Sequence, residues 1–483
     1  MSDGLDVRSA LADFASMRLL FRLCFVTAFI ACNTAQADNE ADNSAALRGA
    51  ALYETYCIAC HGANLAGGLA PSMVDDTWNY GNSDAEITAV IKNGIADVAM
   101  PGFGDSLSVR DMADLLAYIR RGGGDTPTFV PAIDDVPSAE AGIQIDDWAT
   151  NLDQPWGFVF ISDTEALVTE KPGRLWRVSQ GRRQEIISIP SSVDRGQGGL
   201  LDVAIDPDYT DNGWVYLSYS HASPRNKSEL MTRIVRGRIQ NDEWADTQVL
   251  FEAKPEHYIN SSLHFGSRIT FDDSGHLFFG IGDRGQMDMA QDLTRPNGKI
   301  HRIMRDGSIP KDNPFIDTPE AYASIYSYGN RNPQGTIIHP ETGVLWETEH
   351  GPRGGDELNV IKSGLNYGWP EISYGINYSG TVLTEFTALP GMEQPVSQWT
   401  PSIAVCGLEV YTGDLFPNWK GHLLVGALAY QTLRLVSINE EDYLSEITLL
   451  QDKGRVRDVT TGPDGAIYVA LPDRIVRLSP KQT

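Results

Sequence analysis

The sequence predicts two domains of different class, a small all-α domain followed by an all-β six-bladed β-propeller, and three observations carry that prediction. At 483 residues the chain exceeds one ordinary domain, so two domains and a linker are the natural division. Residues 44–121 carry amphipathic helical periodicity, whereas residues 145–480 carry short alternating strands broken by turn clusters. In that second stretch a unit of apolar strand, turn rich in Asp, Pro and Gly, and second apolar strand recurs six times.

Residues 1–37 read as a secretory signal. Met17-Arg18-Leu19-Leu20-Phe21-Arg22 opens an apolar run, Leu23 to Ala31, that leads to the small-residue site Ala35-Gln36-Ala37. Cleavage is expected after Ala37, with Met17 as the true start, and the apolar run is too short to span a bilayer as a mature helix. The mature chain is then periplasmic or secreted. Ile30-Ala31-Cys32 resembles a lipoprotein cleavage box, although Phe29 stands where Leu is usual. Membrane association follows only if Cys32 is lipidated.

Composition narrows the partners. With 64 acidic residues against 38 Lys+Arg, the formal net charge is -26, which opposes binding to nucleic acid or anionic membranes. A cluster of arginines in such a chain needs a local reason. Of the five cysteines, Cys24 and Cys32 leave with the signal, Cys57 and Cys60 form a close pair, and Cys406 stands alone. Ile403-Ala404-Val405 before it marks Cys406 as a small buried hydrophobe, so no disulfide framework is implied.

In residues 44–121 the periodicity predicts helices over Ala45 to Tyr56, Asp84 to Asn93 and Val109 to Arg121. Gly122-Gly123-Gly124 with Pro127, Pro131 and Pro137 marks a linker over 122–144. Between the first two helices stands Cys57-Ile58-Ala59-Cys60-His61. Two thiols spaced by two residues can bond the two vinyl groups of one porphyrin, and the adjacent His then reaches the iron. A zinc half-site would need further ligands, and His61 is the only histidine in the first hundred residues. The sixth iron ligand should then be a thioether, from Met100 or Met73. Met100-Pro101-Gly102-Phe103 is the better placed, in a rigid loop ahead of the closing helix.

The six strand pairs of residues 145–480 run Phe158–Lys171, Val203–Ser218, Ile269–Gly282, Thr336–Glu349, Glu409–Leu428 and Val459–Leu471. Repetition without helical periodicity between copies argues for radial blades, with a two-sheet sandwich as the alternative. Arg331 and Asn332 lie in a Gly/Pro-rich loop, Gly351, Pro352 and Arg353 in another, and Arg455 and Arg457 are placed on one face of a strand. Arginines converging on the axis would suit a polyanionic ligand; solvated loops or structural ion pairs are the other reading.

Two resemblances bear on these alternatives. CIACHG, MPGF and DMADLLAYIR, over residues 45–121, resemble a small class I cytochrome c, which implies haem c on Cys57 and Cys60 with His61 and Met100 on the iron. GQGGLLDVAIDPDY, LHFGSRI, RNPQG, HGPRGGDELN, LNYGWP and RVRDV, in that order, resemble the soluble pyrroloquinoline quinone (PQQ) sugar dehydrogenases, the aldose dehydrogenase branch in particular. That resemblance implies a six-bladed propeller with PQQ and Ca²⁺ on its axis. It implies that Arg331, Asn332, Arg455 and Arg457 hold the quinone, that the Gly351 and Pro352 carbonyls ligate Ca²⁺, that His264 is the general base and that Gln197 lines the substrate side. This sequence departs from the family at Ala429, where a lysine often points at the cofactor. Glu357 and the Tyr367 carbonyl match part of a second Ca²⁺ site, but Asn377 replaces a carboxylate there, so a second ion is not expected to be needed.

The function these features suggest is a quinohaemoprotein dehydrogenase. An aldose, or a related aldehyde, is oxidised at PQQ with Ca²⁺, and electrons pass to haem c and then to an external acceptor, a cytochrome or the quinone pool. The alternative is a cofactor-less propeller that only docks an electron-transfer cytochrome c.

Overall fold

The computed structural model describes residues 45–122 and 136–481, apart from 47, 51, 54–55, 63–64, 66, 68–69, 75–77, 96–97, 99, 105 and 180–181. The signal segment, Cys32 and most of the linker lie outside the described residues. Among the described residues no helix is long and apolar enough to cross a membrane.

The N-terminal domain is helical. Its described residues between 45 and 53 are helical, and a short helix, Ile58–His61, continues the same direction of chain. Two longer helices follow, Asp84–Asn93 and Val109–Arg120, with Arg121 as the C-cap of the latter. Both begin with a reciprocal cap: Ser83 with Glu86, and Ser108 with Asp111, each pair satisfying two amides that the helix leaves open. Their apolar faces, Ile87 and Ile91 on one, Met112, Leu115, Tyr118 and Ile119 on the other, close over Tyr53, Ile58, Leu65 and Phe103. Each such side chain contributes roughly 1.5–3 kcal/mol by leaving water.

The C-terminal domain contains six four-stranded antiparallel sheets. Every repeat unit read from the sequence forms the two inner strands of one blade. The innermost strands are Pro155–Phe160, Leu200–Ile205, Ile269–Phe271, Pro333–Ile338, Val405–Val410 and Asp458–Thr461, each touching the next around a closed ring. Blades 1 to 6 are numbered by these strands. The ring is closed out of order by strand pairing: Ile143–Thr150, the first strand of the domain, forms an antiparallel ladder with Arg474–Pro480 and becomes the outermost strand of blade 6. Backbone hydrogen bonds between the two ends of the domain therefore hold the first strand to the last.

A second regularity is not visible as periodicity. In blades 1, 2, 4 and 5 the pairing of the innermost strand slips near its start, between Pro155 and Phe158, Leu200 and Val203, Pro333 and Gly335, and Val405 and Leu408. A bulge there bends the strand and re-aims the side chains beside it. Space at the axis is tight where this happens. A Cβ on Gly157 would sit 2.6 Å from Asp202 Oδ1, and one on Gly335 would sit 2.4 Å from Thr348 Oγ1.

Candidate active site

Consecutive strands of a blade are antiparallel, so the start of the innermost strand and the end of the second share one end of the domain. Residues just outside the repeat unit are thereby gathered at the mouth of the axis. Gln197 precedes blade 2 and His264 precedes blade 3; Asp283 follows the second strand of blade 3, His276–Ile281. Arg331 and Asn332 meet the innermost strand of blade 4, and His350, Gly351 and Pro352 follow its second strand, Leu345–Glu349. Arg455 and Arg457 precede Asp458 in blade 6. The two arginines are thus in the extended approach to the strand rather than on it. The expectation that they share a strand face is corrected accordingly: the ladder starts one residue later.

Below this mouth, Arg268 plugs the axis. Its guanidinium meets Asp202 at 2.9 Å and Asp458 at 3.0 Å, donates to the Arg457 carbonyl at 2.8 Å, and lies 4.2 Å from the centre of the Trp156 ring. Asp202 and Asp458 in turn accept from the Ile269 and Phe158 amides, which ties blades 1, 2, 3 and 6 together. Burial raises both carboxyls, Asp458 to about 7, and Arg268 opposes that effect on each.

His264 stands over this plug. It is buried, its backbone is left-handed with φ 51°, and its amide donates to Gln197 Oε1 at 2.8 Å. Its Nδ1 lies 2.6 Å from Asp283 Oδ1, while Asp283 Oδ2 accepts from the Trp369 indole at 2.8 Å. Burial pushes the imidazole below its ordinary value of 6.5, against the pull of Asp283, so the ring is neutral at neutral pH. Asp283 fixes the proton on Nδ1 and leaves Nε2 as the basic nitrogen. The sequence reading found His264 and missed Asp283. The signal was its place: Gly282-Asp283-Arg284 leaves blade 3 as Glu349-His350-Gly351 leaves blade 4.

At this mouth a cavity of about 70 Å³ is lined by Trp156, Gln197, Asn332, His350, Leu428 and, alone of the site arginines, Arg457. Arg331 donates to the His350 carbonyl at 3.1 Å, and its buried Nε has no partner. Arg455 keeps both Nη1 and Nη2 buried with no partner among the described residues, and burial, with Arg457 beside it, lowers its pKa to about 10. Arg457 reaches Cys406 Sγ at 3.4 Å. Cys406 is fully buried, and Ala429 packs with it, Ala404 and Leu428 as an apolar patch. His350 Nε2 is also buried and unpartnered. Leaving a charged donor without an acceptor costs several kcal/mol, so these atoms fit a planar ligand carrying several carboxylates. Gly351 donates to Asp356 Oδ1 at 2.9 Å, and a Cβ on it would sit 2.2 Å from the Gly355 carbonyl oxygen. The turn that would offer two carbonyls to a hard cation is therefore pinned by a carboxylate and open only to glycine. Glu357 lies beside Glu349 in the strand ladder, with Glu347 in the same buried group; burial raises all three, Glu349 to about 7.

In the helical domain the Cys57 amide donates to Tyr53 O at 2.8 Å and the His61 amide to Cys57 O at 2.9 Å, so the motif is a continuous helical turn. Cys57 and Cys60, one turn apart, share a side. Burial raises the Cys57 thiol to about 12 and lowers the His61 imidazole to about 4, leaving a neutral ring ready to bind metal. Its buried Nδ1 makes no hydrogen bond among the described residues. Met100 closes a tight turn by exchanging backbone bonds with Ile95 at 2.8 and 3.1 Å, and Gly94 lies so close that a Cβ would sit 2.5 Å from Met100 O. Met73 packs against the domain core.

A family model described as Glucose / Sorbosone dehydrogenase matches residues 152–478. The chain belongs to that family. A second model, Cytochrome C oxidase, cbb3-type, subunit III, matches residues 44–119, which makes the N-terminal domain a cytochrome c domain. The aldose sugar dehydrogenase of Escherichia coli strain K12 is 39% identical over 355 residues, spanning 71% of this chain and 95% of the relative. A crystal structure of the soluble aldose sugar dehydrogenase from Escherichia coli in the apo-form superposes with TM-score 0.67 at 37% identity, over 70% of this chain and 100% of that one. The PQQ-bound aldose sugar dehydrogenase from Streptomyces coelicolor does so with TM-score 0.58 at 26% identity, over 70% and 98%. The relatives just named are sugar dehydrogenases, and this chain carries a cytochrome c domain ahead of the propeller.

Proposed function

We propose that the chain is an exported quinohaemoprotein that oxidises an aldose to its lactone, or a related aldehyde, with PQQ and Ca²⁺, and passes the electrons to haem c. The observation that carries the reading is the His264–Asp283 pair at 2.6 Å, gathered at one mouth with Arg331 Nε, the two Arg455 Nη atoms and His350 Nε2, which have no partner among the described residues. A propeller kept only for docking gains nothing from unpaired buried guanidinium groups and would lose them.

When bound, PQQ supplies the two-electron acceptor and Ca²⁺ the Lewis acid that polarises it. The protein's residues do the rest. Arg331, Asn332, Arg455 and Arg457 would hold the quinone's oxygens, the Gly351 and Pro352 carbonyls would hold the cation, and Gln197 would set the substrate side of the wall. His264 would take the hydroxyl proton of the sugar at Nε2. Cys57 and Cys60 would bind the haem covalently, and His61 and Met100 would ligate its iron. A lysine at position 429 would add a further carboxylate contact; with Ala429 there, the positive charge comes from Arg331, Arg455 and Arg457.

The test is direct. The purified protein is supplied with PQQ and Ca²⁺, offered a panel of aldoses with an artificial dye as acceptor, and the product is followed by NMR. PQQ-dependent formation of lactone is expected; failure to oxidise any aldose would overturn the assignment.

A further inference from the structure

The cytochrome domain meets the propeller at the same mouth that gathers the arginines. The Arg353 guanidinium, one residue past Pro352, lies 4.0 Å from the centre of the Tyr56 ring, immediately ahead of Cys57. Arg353 is held in place by paired backbone bonds with Ile376 at 3.0 Å each, and the turn that follows, Asn377 to Thr381, presents the Ser379 carbonyl to the Ser106 hydroxyl of the cytochrome domain. Tyr430 packs at once against the cytochrome core and against the Ala404, Cys406, Leu428 and Ala429 patch. The patch around Ala429 is therefore the floor of an interdomain contact.

We propose that the cytochrome domain is the lid of the quinone chamber, seated on a cradle of Arg353, Ser379 and Tyr430, and that electrons cross within one chain at the haem edge carrying the Cys57 and Cys60 thioethers. The proposal rests on the quinohaemoprotein reading above. Oxidation of one sugar hydroxyl releases two electrons and two protons. Each crossing reduces one ferric haem to ferrous, so two crossings, with the haem emptied between them by an external one-electron acceptor, complete one sugar. Both protons leave to solvent. The external acceptor therefore meets the cytochrome domain on a face turned away from the propeller, and substrate reaches the chamber from the side of Gln154, Lys171 and Gln197.

The full chain carrying Ser106→Cys and Ser379→Cys, haem attached and without quinone, is treated with diamide, and the cross-linked peptide is measured by mass spectrometry. The cradle requires the disulfide to form. Adding Arg353→Glu should slow its formation about tenfold, the loss of a cation–π contact worth roughly 1.4 kcal/mol. The locked protein is then loaded with PQQ and Ca²⁺, and haem reduction by aldose is timed beside dye reduction. Haem reduction in the locked protein as fast as in the unlocked one supports the seat. No disulfide, or a locked protein that reduces dye while its haem stays oxidised, overturns it. Loss of dye reduction as well would count against the sugar oxidation itself, and the disulfide yield would still decide the docking.

Discussion

In the cytochrome domain three of the groups proposed to hold the haem are neighbours in sequence: Cys57, Cys60 and His61 fall within one helical turn, and backbone bonds from Tyr53 onward set their directions. In the propeller the groups come from four blades, from Gln197 to Arg457, and they meet because antiparallel hairpins bring the ends of every repeat to one mouth. The first site is local, and its loss is all or none. The second is distributed, and it rests on ties between blades, such as those of Arg268 to Asp202 and Asp458. A local site survives any change that spares its turn. A distributed one can be degraded piece by piece.

The largest expected effect follows from the local site. Cys57→Ala with Cys60→Ala should abolish covalent haem, read by haem staining of a denaturing gel, while dye-linked sugar oxidation in the propeller persists. Retained haem would mean another attachment site. In the distributed site, His264→Ala should lower kcat by about 10²–10⁴-fold, the usual worth of a positioned base, with haem content unchanged. Asp283→Asn should lower kcat less and shift the pH profile. His264 acts as its neutral form, and its pKa lies below 6.5, so kcat/KM falls only on the acid side of that value. Removing the Asp283 charge lowers that pKa further, so the acid limb should move to still lower pH. An unmoved limb would separate Asp283 from the base.

Stability sharpens the comparison. Arg268→Ala leaves two buried carboxylates without their cation and should cost about 3–5 kcal/mol of propeller stability, measured by urea unfolding on tryptophan fluorescence. The Soret signal should not follow it. Ser83→Ala is the smallest effect, about 1 kcal/mol from one helix cap, confined to the cytochrome domain and read by its Soret melting curve.

What was legible in the sequence follows the same division. Cys57 to His61 is contiguous, so its chemistry can be read without a fold. The six strand pairs were also legible, because a strand buried on both faces and bounded by Asp, Pro and Gly turns keeps its pattern locally. Asp283 was not, since its value comes only from the 2.6 Å bond to a residue in the preceding loop. The register slips at Gly157 and Gly335 were missed for a related reason: a bulge changes direction without changing composition. Arg353 reads as one more basic residue in a glycine-rich loop, and only the ring of Tyr56 over it shows that it faces the other domain.

The central claim is that the propeller feeds the haem, and the haem itself reports on it. The protein is loaded with PQQ and Ca²⁺, mixed with an aldose, and the haem α-band is followed in time. The account expects the band to rise only when PQQ and a sugar are both present, and to stay flat with His264→Ala. Haem reduction without PQQ, or an oxidised haem with every aldose that the propeller turns over, would contradict it.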